Sequence, residues 1–317
     1  MNRRRLRFLS LPLIVVVMAA CTSAATAAPT AAPTAAPTVA SSAAAVVPSP
    51  TANPCSAATL KTLTAGKLMI GTDNPAYPPY FQPPATGSAP KPWELGDPTN
   101  GQGFESSVAY AVADKLGYAR ADVTWTVVPF DNSYKPGTKP FDLYLAQVSY
   151  TADRAAAVDM SDGYYFVNQA IVALAANPIS KAKTLTDLAA YKFGSQQGTT
   201  AYDTIQNTIK PTNPGKVYNT NDDAIAALKA KQIDGLVVDL PTAFYITGAQ
   251  LDKSVIVGQF PAATGPDAEH FSIVMAKGSA LTTCVNSTLA ALKADGTLDS
   301  ITKEWLSDKA SAPVFGQ

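Results

Sequence analysis

Histidine is almost missing from this chain: His270 is the only one in 317 residues, and the three cysteines, Cys21, Cys55 and Cys284, stand far apart. A zinc site of the usual His/Cys kind cannot be assembled from so few ligands at such spacing. Ser–His–Asp or Cys–His chemistry would have to run through His270, which lies in no recognisable nucleophile motif. There is no surplus of charge either, since 24 Lys and Arg balance 24 Asp and Glu. The one basic cluster, Arg3, Arg4, Arg5 and Arg7, is N-terminal. No basic stripe is left in the body to suit a phosphate backbone, which excludes nucleic acid as a partner. No cofactor and no metal are expected.

Long hydrophobic runs are also scarce. The apolar stretch from Phe8 to Ala20 falls short of the roughly 20 residues that a membrane span needs. Behind its basic start it reads as the core of a signal peptide over residues 1–20. Ala19 and Ala20 directly before Cys21 resemble a bacterial lipoprotein signal, in which the cysteine becomes the lipid-bearing N-terminus and anchors the protein outside the cell membrane. Met18 departs from the Leu or Val usual at that place, and an ordinary cleaved signal is the alternative. From Thr22 to Pro54 there is no charge, and Ala-Ala-Pro-Thr recurs at Ala27–Thr30, Ala31–Thr34 and Ala35–Thr38. Such a segment has little large apolar surface to bury, and its prolines favour extended backbone. Residues 21–54 therefore read as a spacer, able to reach on the order of 100 Å at about 3 Å per residue.

The folded unit then begins near Cys55 and holds about 260 residues, enough for one large or two medium lobes. Cys55 and Cys284 form an even pair in an exported protein, either bridged as a disulfide or buried as two thiols. Strand and helix patterns alternate through the body. Lys67–Thr72 and Val123–Val128 read as strands, as does Phe141–Val148 after the turn residues Pro136, Gly137 and Pro140. Phe104, Val108, Val112 and Leu116 recur at every fourth position, a helix stopped by Gly117. Asn221, Asp222 and Asp223 open a helix running to Lys231. The strand Ile233–Asp239 follows, then Pro241 in the first turn of another helix. Leu281, Val285, Leu289 and Leu292 form a further helix face, Gly296 breaks it, and Ile301, Trp305 and Leu306 belong to a last helix. Such alternation predicts α/β layers with ligands beyond the carboxyl ends of the strands.

Six segments occur in order: GTDNPAYPPYF (Gly71–Phe81), GFESSVAYAVADKLG (Gly103–Gly117), SYTADRAAAVDMSDGYY (Ser149–Tyr165), QGTTAYD (Gln197–Asp203), DAIAALKAKQIDGLVVDLPTA (Asp223–Ala243) and LKADGTLDSITKEWL (Leu292–Leu306). Together they resemble the family 3 extracellular solute-binding proteins, the amino-acid receptors of ABC importers. The resemblance implies an α/β, two-lobe, type II periplasmic-binding fold with lobes joined by two hinge strands. It places 55–168 and 269–317 in the first lobe and 169–268 in the second. It also implies a monomeric, non-enzymatic receptor that delivers a free amino acid to an ABC-transporter permease.

The chemistry of such a ligand can be set out independently. A free amino acid carries a carboxylate and an ammonium on one carbon, and burying both requires a cation with donors and an anion with acceptors. Arg154, in Thr151-Ala152-Asp153-Arg154, suits the carboxylate through its planar fork. The alternative is a solvent-facing arginine at a helix start beside Asp153. Thr199 and Thr200 open a candidate helix whose N-terminus favours the same anion from the opposite lobe. Asp239 ends an apolar strand and matches the family aspartate that receives the ammonium; N-capping the next helix is the bland alternative. Gln147 and Ser149, two apart on a strand end, are expected on one side of the cleft. By the resemblance, Tyr77 and Phe130 sandwich the ligand side chain, and Asp73 contacts it where it is polar or cationic. This lining hints at a polar amino acid. The competing reading is an enzyme like the cyclohexadienyl dehydratases, which would need a carboxyl group of raised pKa inside the cleft. On that view Glu94, Glu269 and Glu304 fall outside the cleft motifs, and Glu105 lies on a lobe helix.

Overall fold

A computed structural model describes residues 53–261, 265, 268–306 and 312–316. The signal peptide, Cys21 and nearly all of the spacer lie outside these residues. In chain order the strands are β1 (Leu68–Thr72), β2 (Val123–Val127), β3 (Leu143–Tyr144), β4 (Asp159–Met160), β5 (Tyr165–Phe166) and β6 (Gln169–Leu174). They continue as β7 (Phe193–Gln196), β8 (Lys216–Tyr218), β9 (Gly235–Asp239), β10 (Ser254–Gln259), β11 (His270–Phe271) and β12 (Val274–Met275). The helices are α1 (Phe104–Lys115), α2 (Phe130–Ser133), α3 (Ala152–Ala157) and α4 (Thr200–Thr204), then α5 (Asn221–Lys229), α6 (Leu240–Tyr245), α7 (Thr282–Ala294) and α8 (Thr297–Trp305).

Two sheets of five strands result, in the orders β2-β1-β3-β12-β4 and β10-β6-β9-β7-β8. β1 runs parallel to β2 and β3, and β9 parallel to β7, so the carboxyl ends of the central strands share a side in each sheet. The apolar stripe of α1, with Phe104, Val108 and Val112 fully buried, packs with α7 and α8 on the first sheet. Ile225 and Leu228 of α5 cover Val172, Leu236 and Val238 of the second. Each sheet thus has its own core. The two lobes are joined where β5 runs on into β6 and where the chain returns between β10 and β11; β5 and β11 pair antiparallel at that crossing.

Most periodic segments fold as the sequence predicts. The strand over Phe141–Val148 shrinks to β3, because Gln147 takes a left-handed φ of 53° and its N–H turns aside to Glu105. α5 opens at Asn221 as expected, with Thr220 before it as the cap, exchanging hydrogen bonds with Asp223. Residues 312–316 pack on the second sheet. Gln259 N–H donates to Pro313 O at 2.7 Å, Phe315 N–H to Gln259 O at 3.0 Å and Gly316 N–H to Lys183 O at 2.9 Å. Phe315 sinks to 3 % exposure in the second core against Phe260. Residues 312–316, part of the stretch expected in the first lobe, add instead to the edge of β10, because that edge and the Phe260 ring give them partners.

Cys55 and Cys284 are joined by a disulfide, with Cα atoms 5.2 Å apart and 229 positions between them in sequence. The bond ties the start of the folded unit to α7 within the first lobe.

Candidate ligand-binding site

Asp73 follows β1, Gln196 ends β7 and Asp239 ends β9, and all three open onto one cavity between the lobes. The atom-free space there is about 680 Å³, open solvent included. Asp73, Tyr77, Phe130, Gln147, Ser149, Arg154, Thr199, Thr200 and Asp239 all line it.

Thr151 begins α3 by accepting the Arg154 N–H on its hydroxyl at 3.1 Å, which turns Arg154 inward. The arginine is only 8 % exposed, so it is not a solvent-facing residue. Its Nη1 donates to Ser149 O at 2.5 Å and its Nη2 crosses the cleft to Gly198 O at 2.8 Å. The guanidinium lies 4.5 Å from the Tyr134 ring centre and 5.5 Å from that of Phe130. Two rings and two carbonyls fix the fork without neutralising its charge. Tyr134 also donates its hydroxyl to Gly198 O at 3.0 Å, an inter-lobe contact that no sequence pattern flagged.

Asp239 stands at the N-cap position of α6 but makes no side-chain cap bond. Its Oδ1 instead accepts from Gln169 Nε2 at 2.7 Å. Burial, and next the nearby negative charge of Glu269, push its carboxyl well above the usual range. Thr199 spends its hydroxyl on Gln196 O at 2.8 Å, inside its own turn. Gln147 gives its N–H to Glu105 Oε1 at 2.7 Å and its side-chain amide to Oε2. Tyr164 donates to the same carboxylate. Glu105 is fully buried, its carboxyl pushed up to about 7 by desolvation, and it lies behind Gln147 instead of lining the cavity. Tyr77 and Phe130 form cavity wall, and burial raises the Tyr77 hydroxyl. Burial likewise pushes Asp73 up to about 6, against backbone N–H bonds from Asn74 and Phe130 that lower it.

Glu269 is misplaced by the sequence reading. Its Oε1 accepts from Ser149 at 2.7 Å, Thr200 at 2.5 Å and Gln169 Nε2 at 3.1 Å, so it sits at the seam of the site. His270 beside it is structural, stacked on Tyr150 with Nδ1 2.8 Å from Ala268 O.

Known proteins were compared with this chain. The model of the bacterial extracellular solute-binding proteins, family 3, matches residues 85–308. The arginine-binding extracellular protein ArtP of Bacillus subtilis (strain 168) is 26 % identical over 223 residues, covering 68 % of this chain and 82 % of its own. A solved ancestral arginine-binding protein bound to arginine is 28 % identical, with a TM-score of 0.60 over 76 % of this chain and 98 % of that one. The ancestral amino acid-binding protein AncCDT-1, a precursor of cyclohexadienyl dehydratase, is 26 % identical, with a TM-score of 0.59 over 76 % and 95 %. These likenesses and the two hinged sheets make the fold a two-lobe, type II periplasmic-binding fold.

Proposed function

Because the chain belongs to the bacterial extracellular solute-binding proteins of family 3, we propose that it is the receptor of an ABC importer and captures a free amino acid with a basic side chain between its lobes. The charge balance of the cavity carries this reading. Arg154, Asp73 and Asp239 are its charged lining residues, one cation against two acids. Arg154 takes the ligand carboxylate from the first lobe, with the opening of α4 facing it from the second. Asp239 takes the ammonium. Asp73 is then left without a counter-charge, and a basic side chain reaching it between Tyr77 and Phe130 supplies one. The arginine-binding relatives support the same class of ligand.

The receptor works as a hinged clamp, since a ligand that contacts both lobes favours the closed arrangement by its differential affinity. The first lobe comprises 55–168 and 269–306, and the second 169–268 with 312–316. Cleavage after Ala20, lipid on Cys21 and the spacer to Pro54 hold a monomeric receptor outside the membrane, near its permease. A dehydratase-like reading draws on the raised carboxyls of Asp73 and Asp239 in the cavity. Glu105, the other raised acid near the cleft, is walled off behind Gln147, which favours binding over chemistry.

A thermal-shift screen of the mature protein against the common amino acids tests this reading. Arginine, lysine and ornithine should raise the melting temperature most. A largest shift from a neutral or acidic amino acid would overturn the basic side chain, and no shift from any would overturn the receptor. Product formed from prephenate or arogenate by the same preparation would replace binding with catalysis.

A further inference from the structure

Glu269 lies where the chain re-enters the first lobe, its carbonyl accepting the Val167 N–H across the hinge at 3.0 Å. Its side chain gathers groups from both lobes. Ser149 comes from the first, Thr200 and Gln169 from the second, and all three donate to the same Oε1. The Ser149 and Thr200 oxygens are 3.4 Å apart. Gln169 Nε2 also reaches Asp239 Oδ1, which ties Glu269 to the acid that the amino-acid reading assigns to the ammonium.

An ionised carboxylate only accepts, and a hydroxyl has one proton and two lone pairs. With their protons committed to Glu269, Ser149 and Thr200 can offer only lone pairs to the cavity they line. Two hydroxyl acceptors beside the Asp239 carboxylate make three, which matches the three N–H donors of an ammonium group. A carboxylate approaching the same hydroxyls would meet their lone pairs and the Glu269 charge behind them. This puts the Thr200 hydroxyl on the ammonium side, while its backbone N–H stays with the carboxylate at the opening of α4. We propose that Glu269 is a positioning residue for ligand recognition: it orients the Ser149 and Thr200 hydroxyls as acceptors, so that they and Asp239 together form the seat for the ligand ammonium.

The inference rests on the amino-acid reading, and the experiment separates the two. Isothermal titration of the wild-type mature protein with L-arginine and with its des-amino analogue gives the reference ratio of affinities. Glu269→Gln can donate from its amide and so releases the fixed hydroxyl orientation. It should lose about tenfold or more for arginine while holding the des-amino analogue within about threefold, as expected for hydrogen bonds to a charged group. Thr200→Val, which keeps the backbone N–H, should show the same amine-selective loss. Loss combined with Glu269→Gln should be less than the product of the two single losses, because both act on one hydroxyl. Equal losses for both ligands in these variants, with melting temperatures showing them folded, would overturn the role of Glu269 alone. Failure of the wild type to bind any amino acid would overturn the amino-acid reading, and this inference with it. Should Glu269→Gln not fold, the Thr200→Val ratio decides: an unchanged ratio overturns the inference.

Discussion

Asp73 shows how a single side chain can encode both a cost and a preference. Burial raises its carboxyl from an ordinary value near 3.8 to about 6, and Asp131 adds to the rise, while the Asn74 N–H at 2.8 Å pulls the other way. The folded protein therefore holds this proton more tightly than the unfolded chain. Its favourable contribution to stability is complete below the unfolded pKa and is lost as pH rises through about 6. A basic ligand reverses the sign, because it binds best to the ionised carboxylate. Arginine affinity, followed by calorimetric titration from pH 7 to pH 5, should fall by up to about tenfold per unit below the pKa. Asp73→Asn should bind weakly at both ends and flatten that slope. A wild-type affinity independent of pH over this range would show that Asp73 does not face the ligand charge. Arg154, Thr199, Thr200 and Asp239 were legible from chemistry that suits an amino acid, whereas Asp73, Tyr77 and Phe130 were reached only through the family resemblance. Glu269 was reached by neither, because its partners Ser149 and Thr200 lie 120 and 69 positions away and no local spacing announces them.

At the scale of elements, periodicity carried as far as a regular face extends. α1, α5, α7 and α8 follow their apolar spacing because each lays one face on a core, and β9 follows its apolar run because both of its faces are buried. The stretch after β3 does not, since the buried Glu105 carboxylate draws the Gln147 amide out of line, a pull exerted across 42 positions. The C-terminal tail was equally hidden: Pro313, Val314 and Phe315 have no period, and only the free edge of β10 gives them a place. Phe315 is the anchor, its ring tilted 51° to that of Phe260 with the centres 5.4 Å apart, and it packs against Gly258, where a Cβ would meet the ring at 2.8 Å. Phe315→Ala should cost about 3 kcal/mol in urea unfolding. Amide exchange at Phe315 and Gly316 should accelerate as their bonds to Gln259 and Lys183 open. A loss below about 0.5 kcal/mol would mean that the tail adds nothing to the second lobe.

For the whole molecule, stability and ligand affinity should separate, because the covalent tie and the moving parts lie in different places. The disulfide joins Cys55, packed on the first core, to Cys284 of α7, itself part of that core. The cleft contacts that join the lobes are elsewhere: Arg154 to Gly198, Tyr134 to Gly198, Tyr80 to Thr242 and the group around Glu269. Closing a loop across 229 positions removes much of the freedom of the unfolded chain, and in the chain-entropy account stabilises by about 5 kcal/mol. Replacing both cysteines with serine should therefore lower the unfolding free energy by about 3–5 kcal/mol, read from denaturant titration. The affinity of the folded double variant for its ligand should stay within about twofold, since no cleft residue depends on the bond and hinge closure does not stretch it. A marked fall in affinity with the fold intact would place the start of the folded unit in the closing motion, and the first lobe could then no longer be treated as the rigid half of the clamp.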